Sequence, residues 1–315
     1  MVESMDAIRR FERITKGLRH PALLCRGKET TMMQMQARAF TTEDRAYLTH
    51  GDRRFMLRLF RPAGVGPHPA VIEVHGGAWC DGDRNDCQIY AEAFARAGLL
   101  VAAIDFRHAG DSYPSSLADI NFAIRWVKAH ARELGAHPER IGIAGQSSGG
   151  HLAMLAAMRP ADPRYAAIPL DAPVDARVGA VAMLWPVINP LSRYRNALRA
   201  RASASPPAWV GNIPDRHNLY WKTEATMEEG NPMLALERGE PVEIPPAMWL
   251  QGRPDPVHDY RDPAAPIAGN EPERFAANYR RAGGAIELLS VEQAARQSEA
   301  ALAPVAAFLR RHLRA

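Results

Sequence analysis

The 315-residue chain carries only three cysteines, Cys25, Cys80 and Cys87. That is too few for a disulfide framework; it fits a reducing compartment, and the spacings match no zinc site. No window of eighteen apolar residues occurs, so no membrane-crossing helix and no membrane partner are expected. The first ten residues hold Glu3, Asp6, Arg9 and Arg10 and no apolar core of a leader, so a cytoplasmic protein is expected. A large excess of one charge is also missing. The net charge is +4 with arginines spread along the chain, which argues against nucleic acid as a partner. Internal repeats and low-complexity tracts are absent. A small-molecule substrate without cofactor or metal remains, and a homodimer is left open.

What is present is an ample apolar content, 47% of residues, arranged in alternating strand and helix patterns. Two strands flank His50-Gly51-Asp52, and the second, Phe55 to Phe60, alternates with period two. Val71-Ile72-Glu73-Val74 and Leu99 to Ile104 read as buried parallel strands. Helical spacing follows over 86–97 and again over 116–133, where Leu117, Ile120, Ala123, Ile124 and Val127 share a face. Strands at 140–144, 180–185, 247–250 and 286–289 alternate with helices at 151–157, 271–281 and 299–313. This rhythm predicts an α/β fold with a doubly wound, mostly parallel sheet. Residues 187–243, rich in Pro, Asn, Arg and Trp, interrupt it and read as a cap or lid over a core of 41–186 and 244–315. Residues 1–40 form an N-terminal segment with a helix at 5–18, either part of that cap or docked on the sheet.

The sharpest feature is Gly145-Gln146-Ser147-Ser148-Gly149, fed by the apolar strand ending at Ala144 and followed by a helix. Glycines two before and two after a serine permit a turn tight enough to push the hydroxyl out at the top of a sheet. A second motif, His75-Gly76-Gly77-Ala78-Trp79, closes the strand at Val71–Val74. Two glycines after a strand leave backbone N–H groups free to face a developing oxyanion.

Strand, elbow and glycine loop together resemble the α/β-hydrolase superfamily, in the esterase/lipase branch of hormone-sensitive-lipase-like esterases and arylformamidases. The resemblance runs over residues 45–313. It implies Ser147 as nucleophile and the N–H groups of Gly76, Gly77 and Ser148 as the oxyanion hole. The run Gln251-Gly252-Arg253-Pro254-Asp255-Pro256-Val257 resembles the loop that carries the family's acid, which makes Asp255 the expected acid.

The family's histidine is missing from its usual loop. After Ile286–Val291 the chain reads Glu292-Gln293-Ala294-Ala295-Arg296-Gln297-Ser298, and no histidine stands between His258 and His312. Arg296 falls at the vacant place, and a guanidinium has no lone pair with which to act as a base. An ion pair between Arg296 and Asp255 is expected there. His258, His217 and His108 are the alternative bases; His75 is expected to brace its loop, and His151 to be packed. On this pattern no histidine does the usual work. The expected function is hydrolysis of a carboxylic ester or amide of a small to medium, partly aromatic substrate, with an unconventional or impaired base and weak activity. Trp79 and Arg296 are expected to line the substrate pocket. The alternative is a small-molecule-binding protein or pseudoenzyme on the same fold.

Overall fold

In the structure, a computed structural model, residues 40–314 are described. The apolar runs form β1 (Phe40–His50), β2 (Arg53–Pro62), β3 (His68–Val74), β4 (Leu100–Ile104), β5 (Ala136–Gln146), β6 (Val181–Leu184), β7 (Ala247–Arg253) and β8 (Ile286–Glu292). They make one eight-stranded sheet in the order β1-β2-β4-β3-β5-β6-β7-β8. The β1–β2 and β2–β4 pairs are antiparallel and every other pair is parallel, as an α/β-hydrolase sheet requires.

The central strands are apolar throughout because both faces are covered. Ala70, Ile72 and Val74 of β3 point to one side, with Leu117, Ile120 and Ile124 of α2 (Ser115–Ala129) and Leu152 and Leu155 of α4 (Ser148–Met158). Val71 points to the other side, with Tyr90 and Phe94 of α1 (Gln88–Arg96) and Val305, Phe308 and Leu309 of the last helix, Glu299–His312. The helix expected over 116–133 is broken. It stops at Ala129, and a four-residue turn, α3 (Ala131–Leu134), ends on left-handed Gly135. His130 accounts for the break: its ring stacks on Trp126 at 4.2 Å and its Nδ1 bonds the Trp126 carbonyl.

Between β6 and β7 the irregular-looking segment is helical: α5 (Pro190–Arg201), α6 (Ile213–Trp221), α7 (Glu224–Glu229) and α8 (Pro232–Glu237). Asn189-Pro190 and Asn231-Pro232 start two of these helices in the same way. Each Asn side chain accepts from the N–H three residues on, and each Pro fills the first helical position. The Asn231 amide also donates to Asn189 Oδ1 at 2.8 Å, so the two caps brace one another inside the protein. The helix expected at 5–18 lies outside the described residues. None of the described helices is long and apolar enough to cross a membrane.

The ends of β3, β5 and β7 all open on the carboxyl edge of the sheet, where ligands of such folds bind. Two of them nearly touch. A Cβ on Gly149 would lie 2.1 Å from the Val74 carbonyl oxygen and 2.4 Å from that of His75. Gly149→Ala must therefore push α4 away from β3, and urea denaturation should show a loss of about 2 kcal/mol or more, as overpacking against backbone does.

Candidate active site

β5 delivers Ser147 in a backbone conformation few residues adopt, φ 53° and ψ −119°. Such strain costs on the order of 1–3 kcal/mol and needs surroundings that enforce it. Here the Ser147 N–H donates to the Leu184 carbonyl at 2.9 Å, and its own carbonyl accepts from Val187 at 3.0 Å. Gly145 and Gly150 leave no room for a side chain either: a Cβ on the first would sit 2.6 Å from Gly149 backbone, and one on the second 2.8 Å from the Gly145 carbonyl.

β3 delivers the glycine loop beside it. A Cβ on Gly76 would come within 3.4 Å of the Ser147 Cβ, so loop and elbow are in contact. Gly77 has φ +97° and is closed over Asp81, whose N–H bonds the Gly77 carbonyl. The Trp79 N–H donates to Ser148 Oγ at 3.1 Å and ties the loop to the start of α4. The N–H groups of Gly77 and Ser148 find no carbonyl or side-chain acceptor among the described residues. His75 braces this loop from behind: it is buried, bonds the Gly76 carbonyl, and stacks on Phe106 at 4.1 Å.

β7 delivers Asp255 and a histidine together. Asp255 Oδ1 accepts from the N–H groups of Val257 and His258, which closes a short turn. The turn folds the His258 ring back on the same carboxylate, with Nδ1 2.8 Å from Asp255 Oδ2. The other ring nitrogen, Nε2, lies 3.0 Å from Ser147 Oγ. With the carboxylate accepting, Nδ1 carries the proton and Nε2 is left to accept from the serine. The expectation that no histidine reaches Ser147 is corrected by this contact. The ring that meets Ser147 comes from the turn that carries Asp255, three residues on, and not from the loop after β8.

Arg296 stands where the family's histidine was expected, and its ion pair with Asp255 is present at 3.7 Å. Its guanidinium also lies 4.5 Å over the Trp185 ring. Burial would raise the Asp255 pKa, but the His258 contact, the Val257 N–H and Arg296 outweigh it and the carboxyl is held below its ordinary value. Burial lowers the pKa of His258. Asp255 opposes this, Arg193 and Arg296 add to it, and the net shift is downward.

The other two alternative bases do not reach the serine. His217 is buried with Nδ1 on the Ile213 carbonyl and its ring 5.0 Å from that of Trp79. His108 packs edge-on against His75 and Phe106. His151 is packed, as expected: it accepts from the Trp79 indole and bonds the Gly230 carbonyl. Trp79 itself departs from expectation. It is 1% exposed, enclosed by His151, His217, Tyr220 and Trp221, so it welds the segment between β6 and β7 to the core and does not offer a free pocket wall. Cys80 bonds the Arg216 carbonyl, and burial pushes its thiol up to about 11, so it is not a reactive thiolate. Among the described residues no three metal-binding side chains gather.

Residues 57–240, more than half of the chain, match the BD-FAE family. The chain belongs to the BD-FAE family. Two Mycobacterium tuberculosis proteins are similar to this BD-FAE chain. One is the probable carboxylic ester hydrolase LipM, 36% identical over 61% of the chain and 42% of LipM. The other is the esterase LipC, 40% identical over 36% of the chain and 29% of LipC. The chain thus spans less than half the length of either relative. Among solved structures, a bacterial heroin esterase superposes with a TM-score of 0.66 at 21% identity, covering 92% of this chain and 91% of that one. An esterase from Pyrobaculum calidifontis does so with 0.65 at 19%, covering 90% of each. These likenesses establish the α/β-hydrolase fold for this BD-FAE member.

An imidazole of lowered pKa, as His258 is, stays unprotonated through neutral pH. Reaction at Ser147 should therefore fall away on acidification with an apparent pKa below the ordinary ~6.5 of histidine. Removing a nearby cation relieves the imidazolium, so Arg296→Ala should move that limb to higher pH. The pH dependence of fluorophosphonate labelling at Ser147, compared between wild type and Arg296→Ala, measures both. An unmoved limb would mean that Arg296 does not act on His258.

Proposed function

We propose that the protein is a carboxylic-ester hydrolase in which Ser147 is the nucleophile, His258 the general base and Asp255 the acid that orients it. The observation that carries this reading is the unbroken chain of contacts from Ser147 Oγ to His258 Nε2 at 3.0 Å and from His258 Nδ1 to Asp255 at 2.8 Å. A serine hydroxyl needs such a neighbour to attack at neutral pH.

In this reading Ser147 Oγ attacks the ester carbonyl carbon and its proton passes to His258 Nε2. The carbonyl oxygen takes up negative charge facing the N–H groups of Gly76, Gly77 and Ser148, whose fixed direction stabilises it without reorganisation. Asp255 stabilises the imidazolium. Collapse breaks the bond to the alcohol, which leaves with the proton from His258. A water then repeats the sequence on the acyl-serine, giving up its proton to His258 and releasing the acid as Ser147 recovers its own.

An ester is favoured over an amide by the names of LipM and LipC. A small to medium substrate remains the proposal. Its aromatic character loses its main support, because Trp79, Tyr220 and Trp221 are spent on packing. The binding-protein alternative rested on a missing base, and the His258 contact removes that motive.

The test is turnover of 4-nitrophenyl esters together with mass-spectrometric mapping of a fluorophosphonate adduct. The adduct should fall on Ser147. Ser147→Ala or His258→Ala should each lower kcat by about 10⁴- to 10⁶-fold with the fold intact, the usual weight of a nucleophile or its base. A His258→Ala enzyme with near wild-type turnover would overturn the assignment of the base.

A further inference from the structure

Among the described residues, Arg193 is the one fully buried arginine whose side chain is left without a partner to match. It is 4% exposed, and its Nε and Nη1 have no hydrogen-bond partner. A guanidinium out of water and without a counter-ion is costly unless something else supplies the acceptors. The nearby carboxylate does not. Asp255 Oδ1 accepts from Val257 and His258, and Oδ2 is engaged by the His258 ring, Gln251 and Arg296. The nearby Arg216 pairs with Asp81 and leaves no anion over.

The fold puts this group beside the reacting atoms. Ala197 of α5 and Ile213 at the start of α6 belong to one small apolar cluster, and Val257 packs against it. Arg193 lies one turn earlier on the same face of α5. Its chain neighbour Ser192 accepts from the Tyr260 hydroxyl at 3.2 Å, two residues beyond His258. Its other neighbour, Tyr194, has its ring 5.7 Å from that of His217, which in turn stands over Trp79 of the glycine loop. Arg193 is thus hemmed between the turn that carries His258 and the helix that leans on the oxyanion loop. His217 Nε2 is likewise buried and without a partner there. Burial lowers the pKa of Arg193 to about 10, so the group keeps its charge at neutral pH.

We infer that Arg193 receives an anionic group of the substrate, and that the preferred substrates are esters carrying a carboxylate a few bonds from the scissile carbonyl. A planar guanidinium with two free N–H directions matches a carboxylate in a way that it matches no neutral group. The inference rests on the hydrolase reading of Ser147, His258 and Asp255. The bond broken is the same ester bond, and the distal carboxylate stays unchanged as a handle.

The experiment compares kcat/KM within two pairs of esters. Mono-4-nitrophenyl adipate against 4-nitrophenyl hexanoate places the charge on the acyl side; 4-carboxyphenyl butanoate against phenyl butanoate places it on the alcohol side. In at least one pair the anionic ester should be favoured by about ten- to a hundredfold, the worth of a charge-assisted hydrogen bond, mainly through KM. Arg193→Met, which keeps the aliphatic packing and removes the charge, should lower that anionic-to-neutral ratio by a similar factor. Arg193→Lys should keep part of it. Neutral esters turned over as well as or better than the anionic ones in both pairs by wild type would overturn the inference, whether or not the variants fold. A ratio unmoved by Arg193→Met would do the same. If no ester is hydrolysed and Ser147 is not labelled, it is the hydrolase reading that has failed.

Discussion

The site depends on one close approach of backbone to backbone, the end of β3 against the elbow at the end of β5. Gly145 and Gly149 let the carbonyls of Val74 and His75 come nearer than any Cβ would permit. That proximity lays the glycine loop beside Ser147 and turns two backbone N–H groups into unshared donors. It also forces Ser147 into its strained turn, because α4 must begin before β5 has cleared its neighbour. Leu184 and Val187 take up the Ser147 N–H and carbonyl as β6 passes.

Much of this architecture was legible from the chain because it follows from short-range rules. Apolar runs without alternation marked strands covered on both faces, and glycines at fixed distances from Ser147 marked the elbow. Asp255 was singled out on another ground, the likeness of its loop to the one that carries the family's acid, and the structure sets its carboxylate against the His258 ring. His258 stood only as one of three alternatives to a histidine missing from its usual loop. Its place had been sought at the end of β8, where a family pattern puts it, whereas the ring of His258 arrives by a local turn whose geometry is set by two N–H bonds to the Asp255 carboxylate. An aspartate and a histidine three apart just beyond a sheet strand were the available signal. Trp79 was misread for a different reason. A large aromatic beside a glycine loop looks like a pocket wall until its burial partners, which come from α4 and α6 far along the chain, are known.

The segment between β6 and β7 reads as irregular because its helices are short and capped by Asn and Pro, not because it lacks order. Its hold on the core is aromatic and directional. Tyr220 and Trp221 enclose Trp79, and Arg216 reaches the Gly77 carbonyl at 3.2 Å. The helices above the site and the loop that would bear the oxyanion are therefore one packed unit.

Because acid and imidazole share a single four-residue turn, they travel as one body. A shift of β7 relative to β5 changes the distance from His258 to Ser147 and leaves the distance from His258 to Asp255 alone. When the two groups come from separate loops, three strands must hold register at once; here two suffice. The loop after β8 then meets this turn through a charge, Arg296, which faces the Asp255 carboxylate from outside and acts on the imidazole at a distance.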